Sequence, residues 1–425
     1  MIPDFNNSTP VVILRSIAYA GLAIARSLGR LGIPVYVIEG VRTSPVFSSR
    51  YNREALIWSI DDKPELESVD FLLQASKKIA GQPLLIPTTD YAAMFLARNA
   101  LHLRGHFLFP EQPEGLVDAL CSKKGMHLLA KRVGIPTPET VFPLNRTDVS
   151  EFIRTAVFPV MLKAIDGTRL CERVGKKMFI VNSAQELLDL YDRIEDAAEP
   201  NLMLQEYIPG GDDSVWMFNG YFNRNSDCLA GFTGKKIRQC PAYTGYTSLG
   251  ICLKNDNVDS LTRSFMKAIG YRGVLDVGYR YDARDGRYKV LDVNPRIGAT
   301  FRLFVGNNGL DVARALYLDM TGQQVPGTRL CEGRKWMVED RDLSSSFRYW
   351  RDGKLSARQW LSSFGGVRET AYLATDDMRP VYARLKKVLA SATGRMCARL
   401  GSKLPAHSFH NGNKTPVRTS SAKAT

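Results

Sequence analysis

Cysteine and histidine are scarce in this chain of 425 residues, and neither is arranged for metal binding. The seven cysteines are an odd number without a C-x-x-C pair, and there are only five histidines. A cysteine-based zinc site and a disulfide framework are therefore not expected, and free thiols indicate a reducing compartment, the cytoplasm. Long apolar runs are missing as well. The stretch of residues 11–25 contains Arg15 and follows Asp4, which argues against a signal peptide or a membrane span.

Acidic residues are absent from the end of the chain. Beyond Asp377 there are ten lysines and arginines and no Asp or Glu, so this end carries ten of the fourteen formal net positive charges. The rest of the protein is only mildly basic, which argues against a nucleic-acid partner. Residues 379–425 are predicted to form a basic helix and, from Lys403, a disordered tail.

The predicted basic helix is amphipathic. Its apolar stripe consists of Val381, Leu385, Val388, Leu389, Ala392 and Met396. Such a helix could make peripheral contact with an anionic membrane, or it could dock on its own protein. Both interpretations stay open at this point.

The start of the chain lacks the glycine fingerprint of dinucleotide-binding proteins. A buried strand at Val11–Leu14, a helix at 21–31 and a second strand at Val35–Ile38 predict a βαβ unit. The first turn, residues 15–21, has no G-x-G-x-x-G, so a Rossmann oxidoreductase is not expected. Loops at the carboxyl edge of this sheet supply three candidate substrate contacts: Arg50, Thr89 and Asp90.

A β-hairpin that carries carboxylates is predicted after residue 273. Apolar and aromatic residues alternate over Val274–Tyr281 and Tyr288–Val293, and an Asp-Gly turn joins the two strands. The second strand ends in D-V-N-P-R, residues 292–296. Period-two geometry places Asp292 and Asn294 on one face, and Asp276 could add a carboxylate from the partner strand. These oxygens suit Mg²⁺ that bridges phosphates, beside the guanidinium of Arg296.

The D-x-N-P-R segment resembles the metal-binding signature of the ATP-grasp superfamily, which is more usually E-x-N-P-R. The resemblance implies that Lys123, eleven residues before G-I-P-x-P, and Lys163, at the end of a short buried strand, bind the ATP phosphates. It also implies that residues 166–177 form a mobile loop over the triphosphate, with Thr168 and Arg169 as phosphate contacts. Adenine and ribose would be bound by the segment that contains Glu206, Tyr207, Ile208 and Asp213.

Two further features follow from the resemblance. A basic strand that contains Lys236 and Arg238 is similar to the region that faces the acceptor in carboxylate-amine ligases, so Arg238 is expected to contact a carboxylate or acyl phosphate. The first metal carboxylate of relatives would fall on Gly278. Asp276 lies two residues upstream on the same face, and Asp282 near the turn is a poorer substitute. The predicted metal ligands are therefore Asp276, Asp292 and Asn294.

The whole pattern predicts an α/β protein with four parts. Residues 1–115 form a Rossmann-like pre-ATP-grasp domain, 116–325 the ATP-grasp domain, 326–378 a C-terminal helical extension and 379–425 the basic end. The implied function is an ATP-dependent carboxylate-amine ligase with ATP and Mg²⁺ or Mn²⁺, small-molecule substrates, and Arg296 and Arg238 as catalytic residues. A non-catalytic ATP-binding protein is the alternative, because Gly278 could mark a lost metal site.

Overall fold

The computed structural model describes residues 5–16, 19–176, 178–196, 198–243 and 245–386. Its first compact unit extends to Ala383, and the residues from Arg384 onward belong to a second unit. Most of the predicted basic helix and all of the predicted disordered tail therefore lie outside the described residues. Within the described part, no helix has the length and apolar character needed to cross a membrane.

The first sheet is parallel and covered on both faces. Its strand order is β3-β2-β1-β4. The strands are β1 (Val11–Leu14), β2 (Val35–Ile38), β3 (Asn52–Leu56) and β4 (Leu84–Pro87). The helices are α1 (Ala20–Gly29), α2 (Glu65–Lys78), α3 (Asp90–Arg98) and α4 (Ala100–Leu103). All four residues of β1 are buried, as the continuous apolar run predicts for a strand between two helical layers.

The second sheet is antiparallel and follows two connecting helices, α5 (Leu116–Cys121) and α6 (Lys123–Arg132). Its strands are β5 (Thr140–Val141), β6 (Val160–Ala164), β7 (Met178–Val181) and β8 (Leu202–Glu206), in the order β5-β8-β6-β7. Its helices are α7 (Arg146–Thr155), α8 (Gly167–Val174) and α9 (Ala184–Ile194). The predicted mobile loop is thus largely the helix α8, because Leu170 is buried in the core of this sheet and Val174 packs against that core.

The third sheet has seven strands and holds the predicted hairpin at one edge. Its strands are β9 (Val215–Phe222), β10 (Cys228–Cys240), β11 (Tyr246–Cys252), β12 (Gly273–Asp282), β13 (Arg287–Asn294), β14 (Lys335–Met337) and β15 (Val367–Thr370). They lie in the order β13-β12-β9-β10-β11-β14-β15. The associated helices are α10 (Asp256–Ile269), α11 (Val312–Met320), α12 (Glu339–Arg351) and α13 (Ala357–Ser363).

The segment predicted as a helical extension contributes strands as well as helices. β14 pairs with β11, and β15 pairs with β14, so residues beyond 326 complete the third sheet. Trp336 of β14 is only 1% exposed and belongs to the core that joins the first and third sheets. Short edge strands such as β15 carry charged residues and no clear alternation, which is why the sequence pattern did not reveal them.

Buried ion pairs fasten the end of this segment to the first sheet. Arg26 of α1 is 2% exposed and pairs with Asp377 at 3.0 Å. The Asp377 carboxylate also accepts a hydrogen bond from the backbone nitrogen of Arg50 at 2.9 Å, and the Arg50 side chain donates to the carbonyl oxygen of Asp376. Arg50, predicted as a substrate contact, is therefore engaged in this internal connection.

Candidate active site

The carboxylates of the β12–β13 hairpin lie side by side at the open end of its ladder. Asp276 is paired with Asn294, and Gly278 with Asp292, in the antiparallel register. The side-chain nitrogen of Asn294 donates to the Asp292 carboxylate at 2.8 Å and to the backbone oxygen of Asp276 at 3.2 Å. Among the described residues, no Lys, Arg or His forms an ion pair with Asp276 or Asp292.

Two glycines leave the space that these carboxylates occupy. A Cβ atom on Gly278 would lie 2.5 Å from Oδ1 of Asp292, and a Cβ on Gly298 would lie 2.5 Å from Oδ2 of Asp276. A side chain at position 278 would thus displace the Asp292 carboxylate. In the described part of the chain no group of three or more His, Cys, Asp and Glu side chains is placed to hold a metal. The oxygen donors here are two carboxylates and the amide of Asn294.

The electrostatics of the pair fit a bound cation. Burial raises the pKa of Asp276 to about 6; the positive charge of Arg296 opposes this shift and the negative charge of Asp292 adds to it. A neighbouring divalent cation would relieve the repulsion between the carboxylates and favour their ionised forms. Hard oxygen donors of this kind suit Mg²⁺, which completes its coordination with water and phosphate oxygens.

Two lysines approach the carboxylates from the second sheet and from α6. Lys163 lies near the end of β6 and donates to Oε1 of Gln205 at 2.6 Å, whereas Lys123, the first residue of α6, donates to the carbonyl oxygen of Ala164 at 2.7 Å. Burial and the charge of Lys123 lower the pKa of Lys163 to about 8, against the opposing effect of Asp292. Lys123, Lys163 and Asp292 are therefore close enough to influence one another electrostatically. Paired cations beside a carboxylate cluster suit a polyphosphate with its metal ion.

The segment after β8 connects the second and third sheets. The Glu206 carboxylate accepts hydrogen bonds from Lys289 and Arg284, each at 2.7 Å, and from the backbone nitrogen of Glu139 at 3.0 Å. Burial opposes ionisation of Glu206, but these hydrogen bonds outweigh it and lower the pKa. The side chain of Glu206 therefore holds the strand end in place, and the described hydrogen bonds leave the amide nitrogens of Tyr207 and Ile208 unused.

Neighbouring aspartates in the next turn differ in their contacts. Asp212 accepts hydrogen bonds from Gln239 at 2.9 Å and from the hydroxyl of Tyr349 at 2.8 Å. Asp213 is exposed, and no hydrogen bond or ion pair within the described residues occupies its carboxylate. Only Asp213 is therefore available to a ligand in this turn.

Comparison with known proteins shows a similarity in sequence to a curated ligase. No family model matches the chain. D-aspartate ligase from Enterococcus faecium (strain Aus0004) is 25% identical over 240 residues, which are 54% of this chain and 57% of that protein. The chain thus spans little more than half the length of this curated relative.

Solved structures extend the similarity to most of the chain. N5-carboxyaminoimidazole synthetase from Staphylococcus aureus, complexed with ADP, has a TM-score of 0.60 at 15% identity and covers 78% of this chain and 83% of its own. The biotin carboxylase domain of 2-oxoglutarate carboxylase from Hydrogenobacter thermophilus was solved with MgADP, ADP and bicarbonate. Its TM-score is 0.56 at 16% identity, with 76% of this chain and 73% of that chain covered.

The chain has the ATP-grasp fold. This confirms the predicted fold class, and the two solved structures above contain ADP or MgADP. These structures show the fold alone. The roles of individual residues in binding ATP, metal or substrate are inferred from the contacts within this chain.

Arg296 connects the ATP-grasp hairpin to the first sheet. Its Nε donates to Asp90 at 2.9 Å, and its Nη2 donates to Oδ1 of Asn294 at 3.0 Å. Asp90, one of the three candidate substrate contacts, therefore lies next to the predicted metal ligands. Thr89 instead caps α3 by accepting a hydrogen bond from the backbone nitrogen of Ala92.

Arg238 and Arg169 are engaged elsewhere in the protein. Arg238 is 3% exposed, and its guanidinium donates to both carboxylate oxygens of Asp342, at 2.9 and 2.7 Å, and to Ser363. Arg238 is thus engaged in a buried bidentate pair within the protein, and its predicted contact with a substrate stays a prediction. Lys236, two residues earlier, lies close enough to Asp276 for its positive charge to oppose the raised pKa of that carboxyl group. Arg169 pairs with Asp196 at 3.2 Å and with Glu199 at 3.1 Å. The side chain of Thr168 lies outside the described residues.

Three residues that contact residues 210–212 were not singled out from the sequence: Gln239, Arg280 and Tyr349. Arg280 donates to the carbonyl oxygen of Gly210 at 2.6 Å and contributes to the lowered pKa of Lys163. Its position on β12, two residues after Gly278, is a signal that could have revealed it. Tyr349 contacts Asp212 across 137 residues of sequence, for which no local pattern exists.

Proposed function

We propose that this protein is an ATP-dependent ligase that joins a carboxylate to an amine. The observation that supports it best is the meeting of five charged side chains from three parts of the fold: the lysines of α6 and β6, the two carboxylates of the hairpin, and Arg296. Such a site combines phosphate-binding cations with an oxygen-rich cluster for a metal ion. The similarity to a D-aspartate ligase gives the reaction class.

The nucleotide would lie between the second and third sheets. Lys123 and Lys163 would hold the phosphate oxygens, because Lys163 lies close enough to both Lys123 and Asp292 to be influenced by their charges. The unused backbone nitrogens of Tyr207 and Ile208 would face the adenine edge, with Glu206 fixing the position of that segment. The exposed carboxylate of Asp213 would accept hydrogen bonds from the ribose hydroxyls.

Asp276, Asp292 and Asn294 would hold the metal ion. Bound Mg²⁺ would neutralise the charge of the β- and γ-phosphates, and Mn²⁺ would suit the same oxygen donors. The chain's own residues prepare this position: Gly278 and Gly298 leave room for the carboxylates, and Asn294 orients Asp292 by a hydrogen bond.

The reaction would proceed in two steps. The γ-phosphoryl group moves from ATP to a carboxylate oxygen of the substrate, which releases ADP and forms an acyl phosphate. An amine then attacks the acyl carbon, loses a proton and expels phosphate. Arg296, oriented by Asp90 and Asn294, would stabilise the negative charge of the acyl phosphate and of the tetrahedral species. Lys236 is the nearby cation best placed to hold a substrate carboxylate.

We propose an amino acid, with aspartate first, as the carboxylate substrate, because the curated relative is named for D-aspartate. The amine partner is a second small molecule. Use of ATP favours the cytoplasmic location that the free thiols predict.

An ADP-release assay tests the proposal. The wild type would be mixed with ATP, Mg²⁺ and D- or L-aspartate, crossed with a panel of amines, beside Asp292→Asn and Lys163→Ala. We expect ADP release that requires one carboxylate and one amine and is lost in both variants. If calorimetry shows that ATP binds but no pair stimulates ADP release, the protein is a non-catalytic ATP-binding protein and the ligase proposal is wrong.

A further inference from the structure

The helix α12 has a buried polar face and an exposed apolar face, the opposite of an ordinary surface helix. Its inner face carries polar residues that are buried: Asp342 pairs with Arg238, and the Ser345 hydroxyl lies 3.0 Å from the Ser248 hydroxyl. Its outer face carries Leu343, Phe347 and Trp350, with 63%, 61% and 58% of each residue exposed. A helix on the surface of a globular protein normally turns its apolar residues inward. The outward apolar stripe of α12 therefore lacks a partner within the described residues.

The three apolar residues form one continuous stripe. They are spaced by four and three positions, which places them on the same side of the helix. The rings of Phe347 and Trp350 pack against each other with centroids 5.7 Å apart. Clustered large apolar side chains on a surface indicate an interaction site more strongly than scattered ones.

Exposed basic residues lie on the same helix as the stripe and on the segment that follows it. The exposed basic residues of α12, α13 and their connection are Arg341, Arg348, Arg351, Lys354 and Arg358. The exposed acidic residue of this region is Asp352, and Arg348 pairs with it at 2.8 Å. The region therefore has four more exposed basic than exposed acidic residues, in addition to its apolar stripe. We call the stripe and these basic residues the α12 face.

The charge of the α12 face argues against a second copy of the chain as its partner. In a two-fold symmetric dimer the same patch meets itself, so the arginines and lysines of both copies would be brought together. Like charges placed face to face are unfavourable, especially after partial removal of water. An anionic partner with an apolar interior meets both requirements of the face.

We infer that the α12 face binds the surface of an anionic lipid bilayer. Leu343, Phe347 and Trp350 would enter the boundary between headgroups and acyl chains, and the basic residues of the α12 face would contact the anionic headgroups. Tryptophan favours this boundary because its ring is apolar and its N–H is polar. The basic helix predicted within residues 379–425 is a second candidate for membrane contact. The ten positive charges of that end would strengthen the electrostatic attraction of the protein to an anionic bilayer. This inference does not depend on the ligase activity.

Vesicle binding by the full chain tests the inference. Phe347→Ser/Trp350→Ser would be compared with the wild type by co-sedimentation with phosphatidylcholine vesicles that contain about one-third phosphatidylglycerol, at about 0.15 M salt. A matched control is Leu66→Ser/Leu101→Ser, since both leucines are 73% exposed on helices of the first sheet. We expect the α12 variant to bind at least about tenfold more weakly, the control to bind as the wild type does, and pure phosphatidylcholine vesicles to bind little.

Tryptophan fluorescence gives a second measurement. Subtracting the emission of Trp350→Phe from that of the wild type isolates Trp350, which should shift to shorter wavelength when anionic vesicles are added. If the α12 variant binds vesicles as tightly as the wild type, the basic tail alone is sufficient and the inference is wrong. It is also wrong if Trp350 emission does not shift. A wild-type dimer that the α12 variant converts to a monomer would identify a second copy as the occupant instead.

Discussion

The two ends of the β12–β13 hairpin contain carboxylates in opposite electrostatic states. At the turn end, Asp282 is fully buried and accepts hydrogen bonds from Arg284 at 2.8 Å and Lys289 at 2.7 Å. Arg284 and Lys289 hold the pKa of Asp282 well below its usual range against the effect of burial. At the open end, burial raises the pKa of Asp276 to about 6, and no Lys, Arg or His within the described part of the chain forms an ion pair with it.

Within this one hairpin, the charges at the turn end stabilise the fold, and those at the open end are candidates for binding a ligand. Glu206 shares Lys289 and Arg284 with Asp282, so the charges at the turn end are balanced and connect the hairpin to β8. The open end lacks such pairing: within the described residues, Asp276 is influenced by the charges of Arg296 and Lys236, and Lys163 by that of Asp292, but neither carboxylate forms an ion pair. Adjacent carboxylates without a paired cation favour the binding of a positively charged ligand.

The largest expected effect is at the open end. Asp292→Asn removes one metal-binding carboxylate, so ADP release should fall by at least about 100-fold at saturating ATP. The free energy of unfolding should stay the same or rise, because a repulsive charge is removed. Activity would be measured as a function of Mg²⁺ concentration, and stability by urea denaturation. Full activity in Asp292→Asn would show that the carboxylate does not bind the metal.

The matched change at the turn end should affect stability instead. Asp282→Asn removes the charge of a buried partner of Lys289, which keeps its pair with Glu206, and we expect the free energy of unfolding to fall by about 2 kcal/mol. Below the melting temperature the Mg²⁺ dependence of ADP release should match that of the wild type. Urea denaturation and the Mg²⁺ titration measure the two quantities. A shifted Mg²⁺ dependence with unchanged stability would overturn the distinction between the two ends.

Lys163 makes the open end sensitive to pH. Its ammonium group is charged below its pKa of about 8, so ATP affinity should fall as the pH rises through about 8. Lys163→Ala should weaken ATP binding roughly tenfold at neutral pH and abolish this pH dependence. Calorimetric titration with ATP between about pH 7 and pH 9 measures both effects. The same pH dependence in Lys163→Ala would assign the titration to another group.

The smallest expected effect concerns Tyr349, which acts on the site through Asp212. Tyr349→Phe removes the hydroxyl that holds Asp212, so Asp213 would be less well oriented and KM for ATP should rise about three- to tenfold. kcat should change little. Tyr317→Phe is the control, because its hydroxyl also donates hydrogen bonds, to the carbonyl oxygens of Asn6 and Thr9. Equal effects of both variants on KM would contradict a positioning role.

Local patterns in the sequence predicted the parts of the site that are close in sequence. The hairpin was predicted from alternation and an Asp-Gly turn. Each of its two observed strands is one residue longer at both ends than predicted. The pattern also placed Asp276, Asp292 and Asn294 together, because strand register relates these positions directly. The fold class followed from the resemblance of the motifs, in their order and gaps, to the ATP-grasp superfamily.

Contacts between distant segments could not be predicted in this way. Arg238 has a suitable charge and position on its strand, but Asp342, 104 residues later, occupies its guanidinium. Residues 166–177 contain the glycines of a loop, yet burial of Leu170 makes most of the segment a helix. Tertiary packing overrode the local signal in both cases.

The sequence by itself determined the D-x-N-P-R hairpin, because periodicity and turn residues act over a few positions, and the resemblance of its motifs to the ATP-grasp superfamily singled out Lys123 and Lys163. Only the tertiary structure decided which charges are paired: Asp282 and Arg238 form ion pairs, whereas none involving Asp276 or Asp292 occurs in the described part of the chain. That outcome depends on which side chains meet across sheets, and the free energy of a buried charge depends on all of its neighbours.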